Sequence, residues 1–289
     1  MRSSKWPCVS ESKRILRALP LAIMSGQSSF THRYVLRLAY HGAEFLGWQR
    51  QPNGRTVQGI LESTLSTWMR IPVEVVGAGR TDAGVHASNY VAHVDCTSAV
   101  DLDELVFRLN RFLPDDLVLF EAIPAPDEFH ARFSAQGRGY CYSIQRTKSA
   151  FGRDTAWACE RPLNGQLLDE MAASLLGEHH FGAFERSGSA ETNGMCTIRH
   201  ARWVRDSDKW VFEIEGTRFL RNMVRALVGT MVEHAAADRG LGQWDRLRKS
   251  QKRTESGPSA PAQGLTFAGA VYAAPLFNGR ETPDFITKR

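Results

Sequence analysis

The chain has 289 residues, 43% hydrophobic and 23% charged, an ordinary globular composition with material for two domains. Its 36 Lys and Arg against 31 Asp and Glu give a net charge of +5, which admits a polyanionic partner without requiring one. Cys8, Cys96, Cys141, Cys159 and Cys196 are odd in number and never spaced C-x-x-C, which excludes a disulfide framework and a zinc ribbon and fits a reducing, cytoplasmic setting.

Residues 1–29 lie outside the patterned chain and are expected to be a disordered extension, or the product of a start upstream of Met24; their Arg- and Ser-rich, acid-poor character also fits a transit peptide. The apolar run from Ala18 to Met24 is interrupted by Pro20 and lacks a small-residue cleavage site, so it is a poor secretory signal. No run approaches a membrane span. "YVLRLAY" then alternates as a strand, and "HGAEFLGWQRQPNGR" is a Gly- and Pro-punctuated loop. Thr56 caps a predicted helix with Val57, Ile60, Leu61, Leu65 and Trp68 at helical spacing. "VEVVGA" and "NYVAHVDC" are strands on either side of a glycine-rich loop. Asp101 and Glu104 form a capping box for the helix that Pro114 ends, and "LVLFEAI" is a further strand.

The second half repeats the order. "GYCYSI" is a strand, Asn164 caps a helix closed by Gly177, "IRHARWV" and "KWVFEIEG" form a hairpin, "FLRNMVRALVGTMVEHAA" is a long helix, and "LTFAGAVYAA" is the last strand. The predicted fold is α+β: two ferredoxin-like (βαββαβ) halves, residues 30–126 and 127–275, with antiparallel sheets, a cleft between them and a tail over 276–289. Residues 187–195 and 248–264 are polar and rich in turn residues. Both are expected to be mobile loops, the second closing over a ligand.

The stretch "GAGRTDAGVHA", Gly77 to Ala87, carries the chemistry. It is not a phosphate loop, because Val85 and His86 stand where Lys and Ser/Thr belong, and Asp82 breaks the dinucleotide fingerprint. His86 and His93 lack metalloprotease spacing, and the rings of adjacent His179 and His180 diverge. There remains a carboxylate at the tip of a turn, flanked by glycines that allow positive φ and close approach. Asp82 there is either a nucleophile or base, or simply an Asx-turn tying its own loop.

The long second-half helix helps to decide. On one helix, Arg218, Arg221 and Arg225 would share a face about 60° wide, beside Asn222, while the rest of the surface is apolar. Buried guanidinium groups demand anions. Arg225, deepest in the apolar part, is expected to pair with Asp82, leaving Arg218 and Arg221 for phosphates. Tyr140, Tyr142 and Ile144 share a strand face, and Tyr140 could stack a base.

The segments "LAYHGAEFLGWQRQPNGRTVQGILE", "GAGRTDAGVHA", "FHARFSA", "YCY", "FGAF", "TIR", "FLRNMVRALVG" and "APAQGL" together resemble the tRNA pseudouridine synthases of the A family, in that family's order, over about residues 33–273. The resemblance implies a cofactor-free isomerase. It would convert uridine to pseudouridine at position 38, 39 and/or 40 of the tRNA anticodon arm, as a homodimer. It also implies Asp82 as nucleophile, Arg80 beside it, Tyr140 stacking on or deprotonating the uracil, Arg225 as partner of Asp82, and Gly264 and Leu265 at the pocket wall. His41 replaces a commoner Asp, and Cys141 a commoner basic residue. Two rivals remain: a non-catalytic RNA-binding protein of this fold, and a nucleoside hydrolase whose second acid would be Asp95 or Glu213.

Overall fold

The computed structural model describes residues 32–186, 188 and 193–287. The expected N-terminal extension lies outside them. The first half runs β1 (His32–Tyr40), α1 (Val57–Met69), β2 (Val75–Gly77), β3 (His86–Cys96), α2 (Leu102–Phe112) and β4 (Leu117–Ala125). Its strand order is β4-β1-β3, antiparallel throughout, with β2 on the far side of β3. The helix starts follow the side-chain chemistry: Thr56 and Asp101 accept from the amides of Gly59 and Glu104. Leu113 is extended ahead of Pro114, which stops α2.

The second half holds β5 (Ala135–Gln145), β6 (Trp157–Ala158), α3 (Gly165–Ala173), β7 (Gly177–His180), β8 (Met195–Arg205) and β9 (Lys209–Gly216). It continues with α4 (Met223–Ala236), α5 (Leu241–Ser250), β10 (Leu265–Tyr272) and the short α6 (Asp284–Thr287). Its order is β10-β5-β9-β8, again ferredoxin-like, with β7 beyond β8 and β6 beside the end of β5. Two-residue β6, four-residue β7 and polar α5 had no clear periodic signature in sequence.

The two halves share one ten-stranded sheet rather than two separate ones. The short β2 covers only Ala92–Val94 of β3. The start of β3 is left open, and β10 pairs there in parallel, Thr266 with His86 and Phe267 with Ala87. An exposed edge is thereby capped by the other half. The cores interlock at this seam. Phe267 of β10 is buried in the first-half cluster, and Val85, just before β3, in the second-half cluster.

Three expectations are corrected. Helix α4 starts at Met223, because Asn222 is left-handed (φ 65°). Arg218 and Arg221 therefore precede the helix, and the predicted three-arginine face does not exist. Residues 251–264 are not a free loop. The amide of Ala260 donates to the Arg225 carbonyl (2.9 Å) and that of Gly257 to Thr230 Oγ1 (3.0 Å). A Cβ on Gly229 would stand 1.9 Å from the Pro258 carbonyl, so this segment crosses α4 in backbone contact. Finally, the residues after β10 return to the sheet. Phe277 and Glu281 are buried, and Ala270 N donates to the Glu281 carbonyl at 3.0 Å.

Candidate active site

The loop from Ala78 to Val85 is fastened at Ala78, Gly79, Thr81 and Gly84. Ala78 N donates to the Val91 carbonyl (2.8 Å). The buried Tyr90 hydroxyl donates to the Gly79 carbonyl and accepts from the Gly79 amide (3.3 Å). Thr81 Oγ1 bonds Tyr40 Oη (2.8 Å), and its carbonyl accepts from Trp48 N (3.2 Å). Gly84 N donates to the Phe45 carbonyl (3.2 Å). The clamp therefore comes from β3, from the end of β1 and from the "HGAEFLGW" turn after it. Gly47 (φ +90°) permits the approach, since a Cβ there would lie 2.4 Å from the Thr81 carbonyl. Within the loop only Gly84 (φ +77°) uses positive φ. Gly77 is needed for space, because a Cβ would meet Tyr90 Oη at 2.2 Å.

Asp82 sits at the tip, its side chain about one-third exposed at 33%. The turn is closed by its backbone carbonyl, which accepts from Val85 N (3.2 Å). Among the described residues the carboxylate makes no hydrogen bond to its own loop; its partner is Arg225, with Nη1 3.9 Å from Oδ2. An Asx-turn would spend the carboxylate locally. Here it faces outward toward a cation.

Arg225, in the first turn of α4, is held at two points by one residue. Its Nε donates to the Ala260 carbonyl (2.8 Å), and its own carbonyl accepts from Ala260 N. The guanidinium is thus aimed across the seam at Asp82. Tyr140, on β5, is half-buried between Phe219 (5.1 Å) and Phe267 (5.3 Å), both edge-to-face. Burial pushes its phenol up to about 12, opposed by the Arg138 charge and reinforced by Asp82. Phe267 also touches Tyr90, which stacks on Trp48 at 4.1 Å. An aromatic row therefore runs beneath the loop from one half to the other.

The other expected residues make their contacts elsewhere. Arg80 is exposed and donates from Nε to Gln49 Oε1 (3.0 Å). Arg218 is exposed and reaches Asn193 Oδ1 (3.2 Å). Arg221 is exposed, and its carbonyl accepts from Arg186 N (3.0 Å). Leu265 is buried opposite Tyr142 in the second-half core. Gly264 abuts the Tyr142 ring, where a Cβ would approach Cζ to 2.5 Å.

Four positioning residues escaped the sequence reading. Arg138 donates to the carbonyls of Ala78 (3.2 Å), Ala135 (3.1 Å), Thr217 (3.2 Å) and Arg132. It ties the loop to both halves, and burial lowers its pKa. His86 accepts from Gly42 N at Nδ1 (2.9 Å) and meets the Gln263 carbonyl at Nε2 (3.1 Å), which fixes the Nε2–H tautomer. Burial and nearby His41 lower its pKa. Gln58 accepts from Arg50 N and Gln49 Nε2 and donates to the Val75 carbonyl. Tyr90 holds Gly79. Each is ordinary by residue type; only the fold creates these contacts.

The chain is similar to known proteins along most of its length. The tRNA pseudouridine synthase family matches residues 38–134 and 171–273. A tRNA pseudouridine synthase A of Bacteroides fragilis is 38% identical over 247 residues, covering 85% of this chain and 98% of that protein. One from Porphyromonas gingivalis is 39% identical over 249 residues, covering 85% and 99%. One from Myxococcus xanthus is 38% identical over 243 residues, covering 83% and 92%. A chain of a Cbf5-Nop10-Gar1 complex is 10% identical with a TM-score of 0.34, over 81% of this chain and 48% of that one, a likeness too loose to add to the assignment. The chain belongs to the tRNA pseudouridine synthase family and is an isomerase of that class.

Proposed function

We propose that the protein isomerises uridine to pseudouridine at position 38, 39 and/or 40 of the tRNA anticodon arm, with Asp82 as its nucleophilic carboxylate. The observation that carries this is the outward-facing Asp82 carboxylate opposite Arg225, on a loop clamped by the first half and tied to the second through Arg138. The reaction breaks the N1–C1′ bond, turns the uracil and joins C5 to C1′. The C5 hydrogen leaves as a proton and N1 gains one, so atoms balance without a redox partner. Uracil departs as an anion. Asp82 can attack C1′, add to C6 or promote loss of the C2′ proton, and each route needs an ionised carboxylate.

Arg225 keeps that carboxylate charged and oriented. Tyr140 is read as the uracil contact. Burial raises its phenol to about 12, which favours the protonated form at neutral pH, and its ring offers a stacking face for the base. Extruding the target base costs a few kcal/mol, less in a loop than in a duplex; stacking returns about 1–3 kcal/mol. Arg80, Arg218 and Arg221, all exposed, are assigned to phosphates and Leu265 to the pocket wall, with 30–126 and 127–275 as the two units. The protein is assigned to the cytoplasm and to a homodimer, which analytical ultracentrifugation tests.

Mapping of carbodiimide adducts by primer extension on unmodified tRNA incubated with the protein tests the assignment. Stops at one or more of the three anticodon-arm positions are expected. Stops elsewhere in the tRNA, or none, would refute it.

A further inference from the structure

A cavity of about 420 Å³ opens beside Arg225, lined by Arg186, Asn222, Arg225, Arg253 and Ser259. Among the described residues its lining carries three guanidinium groups and no carboxylate. Arg225 shares its charge with Asp82 at 3.9 Å. Half-buried Arg253 is held entirely by neutral oxygens: Ser256 Oγ (2.6 Å), the carbonyls of Gly257 (3.0 Å) and Ser256 (3.4 Å), and Ser259 Oγ (3.2 Å). These contacts fix the direction of the guanidinium, and among the described residues it forms no ion pair. Ser259 is itself positioned by Asn222 Nδ2 (2.5 Å). Helix α4 begins at this wall, and no side chain caps it at Asn222, so its positive end adds to the field.

We propose that this cavity binds a phosphodiester of the RNA strand next to the uridine that Asp82 attacks, an inference that rests on the catalytic reading above. Fixed guanidinium forks match phosphate oxygens. Arg225 is common to the cavity and to the Asp82 pair, so the phosphate held there lies within one sugar of the reacting C1′. Arg225 thus links backbone grip to the carboxylate. Arg253 and Ser259, on the segment that crosses α4, supply the far wall. The cavity fixes which nucleotide along the strand is presented.

The test uses the full chain and synthetic anticodon stem-loop RNAs in which one linkage at a time is a neutral methylphosphonate. Wild type is expected to bind about tenfold more weakly when one linkage flanking the target uridine is neutral. Arg253→Gln is expected to lose about the same affinity for the unmodified RNA and to become indifferent to that linkage. Its salt slope of log Kd should fall by about 0.7–0.9. Ser256→Ala removes a tie to Arg253 but no charge, and is expected to keep the wild-type linkage profile. The proposal is overturned if no single flanking linkage matters to wild type. It is equally overturned if Arg253→Gln keeps full sensitivity to the linkage, which would mark Arg253 as a loop fastener. The cycle reads binding alone. A closed cycle without pseudouridine would therefore sink the catalytic reading and leave the phosphate site standing.

Discussion

Replacing Tyr90 by Phe removes one oxygen and probes how the Asp82 loop is held. The ring keeps its packing on Trp48 (4.1 Å) and Phe267 (5.1 Å), so no cavity larger than a hydroxyl opens. Both polar groups of Gly79 lose their partner. A buried polar group left unpaired costs about 1–3 kcal/mol. Gly79 is only half-buried, so water recovers part of this, and the net loss is about 2 kcal/mol. That is a factor of about 30 in the folding equilibrium. Urea unfolding should show a lower midpoint with an unchanged slope. The single-turnover rate of pseudouridine formation should fall about tenfold or more, because the loop carrying Asp82 loses one of its fastenings, while tRNA affinity stays near wild type. A variant within about 0.5 kcal/mol of wild type, with an unchanged rate, would refute the claim that Tyr90 sets the loop.

Three further outcomes follow from single contacts. Gly264→Ala forces a methyl into the Tyr142 ring and should destabilise by about 1–3 kcal/mol in urea; a neutral result would contradict the packing. Tyr140→Phe keeps the stacking surface and should retain most of the single-turnover rate, whereas Tyr140→Ala should lose the equivalent of about 1–3 kcal/mol; equal, severe losses in both would make the hydroxyl chemical. His93 is held down to about 4, chiefly by burial and then by Arg33 and His130, with Asp95 opposing. It is neutral in the fold, so its contribution is complete above the unfolded value near 6.5. It is lost as pH falls through about 4, up to about 3 kcal/mol. Urea midpoints should drop between about pH 7 and pH 5, less so in His93→Gln; an equal drop in that variant would assign the effect elsewhere.

The elements that sequence revealed best are those with strong local signals. Thr56, Asp101 and Asn164 cap where their side chains and downstream spacing say they should, and β1 reads directly from its apolar alternation. The arginine face failed because its premise was a helix continuous through Asn222. The left-handed turn there depends on Leu220 being buried and on its carbonyl taking Met223 N, which no local pattern announces. Arg225 could still be matched to Asp82, since a lone cation in an apolar helix needs an anion. The seam between β3 and β10 was invisible, because it follows from the shortness of β2 rather than from anything in β10. Arg138 and Gln58 act through backbone carbonyls and amides, contacts that exist only once the chain is folded. Residues 251–264 look mobile by composition, yet Gly229, Thr230 and Arg225 provide the landing points that fix them.

The most direct test of the central claim is tritium release from tRNA carrying uridine labelled at C5, with wild type and Asp82→Asn compared at matched tRNA occupancy. The account predicts release by wild type from the anticodon arm and none by Asp82→Asn, with tRNA binding retained. Release by Asp82→Asn at the wild-type rate would contradict it and leave the carboxylate a structural feature of its loop.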